Sequence, residues 1–118
     1  MLLAVKEELL LRTLRDMLRG YGSEKVKHSR TIEEASSTLG VHKGEWDIFV
    51  VDGALPDATS KIKTARAEIG PDVKILLMMS NPTKEEVIVA IQAGVNDFIA
   101  SPFAPAMFEE KLDKLAGR

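Results

Sequence analysis

The apolar run Ile48-Phe49-Val50-Val51, closed by Asp52 and the turn residues Gly53, Pro56 and Asp57, constrains the fold more than any other stretch. A strand with one face in water alternates apolar and polar residues, because successive side chains point to opposite faces. An unbroken apolar strand therefore needs cover on both faces, which is the situation of a parallel sheet between two layers of helices. Val73-Lys74-Ile75-Leu76-Leu77-Met78-Met79, ending at Ser80, reads as a second strand of this kind.

Weaker signals complete the order of elements. Leu2 to Val5 reads as a short buried strand, followed by a helix in which Leu10, Leu14, Met17, Leu18 and Tyr21 recur at three- and four-residue spacing and which Gly20 and Gly22 end. Glu24 to Ser29 is a strand resting mainly on Val26. Thr31 with Glu34 has capping-box spacing for a helix through Leu39, with Gly40 as its stop. Lys61 to Ile69 reads as a helix, Asn81-Pro82 as a helix start, Lys84 to Ala93 as a helix stopped by Gly94, Phe98-Ile99-Ala100 as a strand, and Pro105 to Leu115 as the last helix. Strands alternating with helices through short connections imply five βα units in a doubly wound α/β domain, a three-layer sandwich spanning 1–118.

Composition excludes several functions. With 16 Lys and Arg against 18 Asp and Glu, no net field favours nucleic acid or an acidic membrane. The absence of cysteine rules out disulfides, thiolate zinc sites and cysteine nucleophiles. The apolar start is broken at Lys6-Glu7-Glu8, too early for a signal peptide or a membrane span, so a soluble cytoplasmic protein is expected. There is no Walker A loop, no G-x-G-x-x-G, and no Ser-His-Asp arrangement. His28 and His42 have no ligands at metal spacing and read as surface or turn residues. A flavodoxin-like cofactor binder shares the architecture, but Lys6-Glu7-Glu8 after the first strand is a poor phosphate cradle. Trp46 is expected at the core edge, with Met78 and Met79 in the core.

In doubly wound sheets chemistry sits outside the carboxyl ends of the strands, which here directs attention to Val5, Lys6, Asp52, Ser80 and Ser101. Around these positions the chain resembles the receiver domains of two-component response regulators, the CheY-like family. Asp47-Ile48-Phe49-Val50-Val51-Asp52-Gly53-Ala54-Leu55-Pro56 is similar to the family's phosphoacceptor strand and loop. The segment from Ala90 to Phe103 is similar to its fourth helix and fifth strand, and Phe108-Glu109-Glu110-Lys111-Leu112 to its final helix. The resemblance implies the flavodoxin-like parallel strand order 2-1-3-4-5 and a signalling module rather than an enzyme.

It also assigns positions. Asp52 falls on the phosphoacceptor aspartate, although an Asp at a strand end also commonly caps local amides. Ser80 falls on the hydroxyl residue beside the phosphoryl group, and Phe98 on the aromatic whose rotamer reports activation, against the plainer readings of a turn-bonding serine and a core phenylalanine. The family's acidic pair, which helps hold Mg²⁺, aligns with Val5 and Lys6 when the first helix fixes the register. The alternative register uses Glu7 and Glu8 as weak metal candidates. The family's lysine before the proline is replaced by Ser101, and Asp57-Ala58-Thr59-Ser60 lacks the usual Asp-Gly pair.

A degenerate site with no metal expected is the first expectation, with Lys6 either pairing with Asp52 in place of the ion or simply solvated. The runner-up is a phosphoacceptor switch, modified on Asp52 by a histidine kinase with Mg²⁺ held partly by Glu7 or Glu8. Val87-Ile88-Val89-Ala90-Ile91 is apolar all round, so part of it must face out. Val89 lies where the resemblance places a partner or homodimer surface, made by the fourth helix, fifth strand and fifth helix. The partners expected are proteins, a kinase or an output domain, with room for a longer parent chain to continue past Arg118.

Overall fold

In the computed structural model, which describes residues 1–21, 26–41, 44 and 46–117, the Ile48 to Asp52 run is the middle strand of a five-stranded sheet. The elements in chain order are β1 (Leu2–Ala4), α1 (Glu8–Tyr21), β2 (Lys27–Ser29), α2 (Ile32–Val41), β3 (Ile48–Asp52), α3 (Ala58–Ile69), β4 (Lys74–Ser80), α4 (Lys84–Gln92), β5 (Asp97–Ser101) and α5 (Pro105–Leu115). The strand order is β2-β1-β3-β4-β5 and all four pairings are parallel. This is the doubly wound flavodoxin-like fold with order 2-1-3-4-5.

Strand alternation divides the core in two. Leu2, Ala4, Phe49, Val51, Ile75 and Leu77 point to one face and meet Ile32, Ala35 and Leu39 of α2, Ile62, Ala65 and Ile69 of α3, and Ala90 of α4. Leu3, Val50, Leu76, Met78 and Ile99 point to the other and meet Leu11, Leu14 and Leu18 of α1 with Phe108 and Leu112 of α5. Every residue from Ile48 to Val51 is buried, as the unbroken apolar run requires. Trp46, Met78 and Met79 are buried too.

Several boundaries differ from the sequence expectation. Gly40 does not stop α2, which continues to Val41; one glycine costs a helix about 1 kcal/mol, which flanking packing offsets. Helix α3 begins at Ala58, because Asp57 turns the chain with a left-handed φ of 52°. Thr83, rather than Asn81-Pro82, caps α4 with a complete capping box to Glu86. His28 is neither in a turn nor fully at the surface. It lies on β2, half-buried, and its Nε2 donates to the Val5 carbonyl at 2.7 Å. His42, Gly22, Glu24 and Lys25 lie outside the described residues.

Away from the carboxyl edge of the sheet, Arg66 of α3 ties three segments together. Its guanidinium donates to the carbonyls of Gly70, Val73 and Gly94 and to Asn96 Oδ1, which also accepts the Ile75 amide. Burial lowers the Arg66 pKa from its ordinary value. Gly94, at φ 109°, is needed where it stands: a Cβ there would lie 3.0 Å from Arg66 Cγ.

Candidate functional site

Because the strands are parallel, the residues that end them gather along one edge. Asp52 closes β3, Ser80 closes β4 and Ser101 closes β5, with Ser80 and Ser101 paired in register. Asp52 is half-buried, and its Oδ1 accepts the Ala54 amide at 3.0 Å while its carbonyl accepts the Leu55 amide at 3.1 Å. It therefore caps its own turn and still lines the cleft. Gly53 N–H donates to the Met78 carbonyl at 2.8 Å, so the backbone just after Asp52 is pressed onto β4.

This edge encloses a cleft of about 560 Å³, with Asp52, Gly53, Ala54 and Thr59 on the β3 side, Met79, Ser80 and Ser101 on the β4 and β5 side, and Glu85, Glu86 and Val89 of α4 on one wall. Glu7 and Leu10 close it from the β1–α1 side. Four lining residues are carboxylates (Glu7, Asp52, Glu85 and Glu86) and none is lysine or arginine. Within hydrogen-bonding and ion-pairing distance, the side chains of Glu7, Glu85, Ser80 and Ser101 meet no partner among the described residues.

The cleft thus brings together Asp52, Ser80, Ser101, Val89 and Glu7 of the residues singled out from sequence, Glu7 being a weak metal candidate of the alternative register. It leaves out Val5, which is fully buried in the core. Glu8 is exposed at the first turn of α1 and does not line the cleft. The pairing of Lys6 with Asp52 is not formed. Lys6 is exposed, does not line the cleft and makes no ion pair with any described residue. Val5 turns into the core at the end of β1, and the residue that faces the cleft from this connection is Glu7 rather than Lys6.

Phe98 lies away from the cleft lining, half-buried against the core, with the Lys111 ammonium 5.5 Å from its ring centroid. Lys111 also pairs with Asp97 Oδ1 at 3.1 Å. The aromatic is therefore held by a cation on α5 that is anchored one residue away on β5. Sequence reasoning did not find the two α4 glutamates. The Thr83-Lys84-Glu85-Glu86 spacing, a capping box, carried that signal, since it fixes where α4 starts and which residues face the strand ends.

The resemblance noted from the sequence implies Mg²⁺ at this edge. Mg²⁺ takes one or two carboxylates and keeps several waters. Asp52 and Glu7, from separate connections on one cleft, supply that minimum, so the residues present fit a largely hydrated ion. No set of three His, Asp or Glu residues able to hold a metal occurs among the described residues.

A doubly wound parallel sheet with an aspartate at the end of its central strand, facing a cleft at the sheet edge, defines an α/β domain whose chemistry sits at the carboxyl ends of its strands. Its relatives make the class specific. No protein-family model matches the chain. Chemotaxis protein CheY-3 of Vibrio cholerae serotype O1 is 32% identical over 111 residues, covering 91% of this chain and 83% of that protein. Chemotaxis protein CheY of Pseudomonas aeruginosa is 27% identical over 111 residues, covering 91% and 87%. The receiver domain of a Pseudomonas aeruginosa sensor histidine kinase, crystallised with a magnesium ion coordinated in its active site cleft, superposes with a TM-score of 0.84 at 27% identity, covering 99% of this chain and 96% of that one. The chain belongs to the CheY-like family of response-regulator receiver domains of two-component signalling. No helix among the described residues is long and apolar enough to cross a membrane.

Proposed function

We propose that this receiver domain is an atypical, non-enzymatic cytoplasmic module that engages a protein partner without depending on phosphorylation of Asp52. The observation that carries the reading is the charge of the cleft: four carboxylates line it, no basic side chain does, and Ser101 stands where the family's lysine would be. Phosphoryl transfer develops negative charge on the transferred oxygens and is catalysed by cations placed to meet it. Here three further carboxylates line the cleft with Asp52 instead. Like charges in one cleft repel an incoming phosphodonor, and no side chain there offsets them.

The partner face is α4-β5-α5, where Val89 is exposed. Its occupant is an output domain, a kinase or a second copy of the chain. Incubation with an acyl-phosphate donor and Mg²⁺, followed by intact-mass spectrometry, is expected to leave the protein unlabelled. Stoichiometric labelling that disappears in Asp52→Asn would overturn the proposal.

One observation favours a second reading. Glu7 lines the same cleft as Asp52, so the two carboxylates would hold Mg²⁺, which when bound neutralises charge on a phosphoryl group. In that case Asp52 remains a phosphoacceptor for a histidine kinase. The relative whose cleft holds magnesium supports it. Loss of labelling in Glu7→Gln, with labelling in the unaltered protein, is its signature.

A further inference from the structure

We propose that the bare face of α4 and the acidic cleft beside it receive one segment of a partner protein, in which an arginine or lysine sits next to an apolar side chain. The cation enters the cleft and the apolar group rests on α4. This rests on the phosphorylation-independent reading and adds the chemistry of the partner.

Helix α4 buries only Ala90, while Ile88, Val89 and Ile91 are 44%, 51% and 57% exposed. Ile88 and Ile91, three residues apart, share one side of α4, while Val89, about 100° round the helix from Ile88, stands at the edge of the cleft. Val89 is also part of the cleft wall, as is Leu10 of α1, so apolar side chains border the acidic cavity. A ligand for this surface must be apolar at one end and cationic at the other.

The hydrogen-bonding inventory points the same way. Ionised carboxylates only accept, and lysine and arginine only donate. Asp52 commits Oδ1 to the Ala54 amide, and Glu86 commits Oε1 to the Thr83 amide. Glu7 and Glu85 commit neither oxygen to a described residue, so the cleft has acceptors to spare and no charged donor of its own. A guanidinium meets several carboxylates through its planar fork, and a cavity of about 560 Å³ admits it with its alkyl stem. Mg²⁺ would answer the charge but leave α4 bare. A second copy of the chain, whose Lys6 is exposed and unpaired among the described residues, would instead give concentration-dependent shifts at the cleft without any peptide, and that result overturns the inference.

The test is an amide ¹H–¹⁵N titration of the 118-residue chain with acetyl-Leu-Arg-amide and, separately, acetyl-Leu-Gln-amide. The arginine peptide is expected to bind about three- to tenfold more tightly, as a few partly exposed charge pairs allow, with the preference gone in about 1 M salt. Shifts should centre on Gly53, Ser80, Glu85 and Val89, and Mg²⁺ should compete. Glu85→Gln should shrink the arginine preference, Glu110→Gln on α5 should leave it unchanged, and Val89→Ser should weaken both peptides alike. Equal binding of the two peptides, shifts centred elsewhere, or a preference that survives Glu7→Gln with Glu85→Gln overturns the inference. Acyl-phosphate labelling of Asp52 instead defeats the reading beneath it, so the two failures are distinguishable.

Discussion

Replacing Arg66 by methionine keeps most of the side chain's volume and removes only its hydrogen bonds, which makes it a clean probe of what fixes the α4–β5 connection to the rest of the fold. The guanidinium makes five donor contacts: two to the Gly94 carbonyl, one each to those of Gly70 and Val73, and one to Asn96 Oδ1. Bonds to charged groups are worth about 1.5–3 kcal/mol each, but a simple sum overshoots because they share one side chain and because Gly70 and Gly94 are only half-buried and regain water. The carbonyl of buried Val73 does not, and leaving it unpaired costs about 2 kcal/mol; the two half-exposed carbonyls add about 0.5–1 kcal/mol together. The expected loss is about 3 kcal/mol. At this length a kilocalorie corresponds to about 4 °C in Tm, so Tm should fall by about 12 °C. Urea denaturation followed by circular dichroism measures it, with the midpoint moving and the slope unchanged. Arg66→Lys should recover less than half, since an ammonium cannot reach three carbonyls at once. A loss under about 1 kcal/mol in Arg66→Met would refute the staple.

Other outcomes follow from single positions. Gly53→Ala places a Cβ 2.4 Å from the Met78 carbonyl oxygen, and displacing that backbone should cost about 2–4 kcal/mol in urea denaturation and move the Asp52 turn. Asp57 has φ 52°, so Asp57→Val should cost about 1–2 kcal/mol in the same assay while Asp57→Gly stays near neutral. The Glu33 carboxyl is held below its ordinary pKa chiefly by a backbone hydrogen bond, which outweighs the opposing effect of desolvation, with Lys61 lowering it further. Its contribution is therefore present above the ordinary glutamate range and is lost as pH falls through the lower folded value. The stability difference between wild type and Glu33→Gln should accordingly vanish in acid, as urea midpoints across a pH series would record.

What could be read from the sequence follows from how each signal arises. The β3 and β4 runs are long, apolar and buried on both faces, so burial alone specified them, and parallel topology then put Asp52, Ser80 and Ser101 on one edge. The three-residue connection after β1 was a different matter. Which of Val5, Lys6 and Glu7 faces the cleft depends on backbone torsions, so the sequence left two registers, one aligning Lys6 with a metal-holding position and one offering Glu7 and Glu8, and of these residues Glu7 lines the cavity. Glu85 and Glu86 reach the wall through the rotation of α4, set by the Thr83 cap. The contact between Arg66 and Gly94 spans 28 residues, a separation at which local pattern carries no information. His28 was set aside for want of metal partners, yet its role is a single hydrogen bond to the Val5 carbonyl across adjacent strands.

In the phosphorylation-independent reading proposed above, a cleft with four carboxylates and no basic side chain does not hold a phosphoryl group on Asp52. Beryllofluoride, which with Mg²⁺ mimics that group on an aspartate, probes this directly when amide spectra are recorded before and after its addition. The claim predicts unchanged resonances for Asp52, Gly53, Ser80 and Phe98. A second, slowly exchanging set of peaks at these residues, absent in Asp52→Asn, would contradict it.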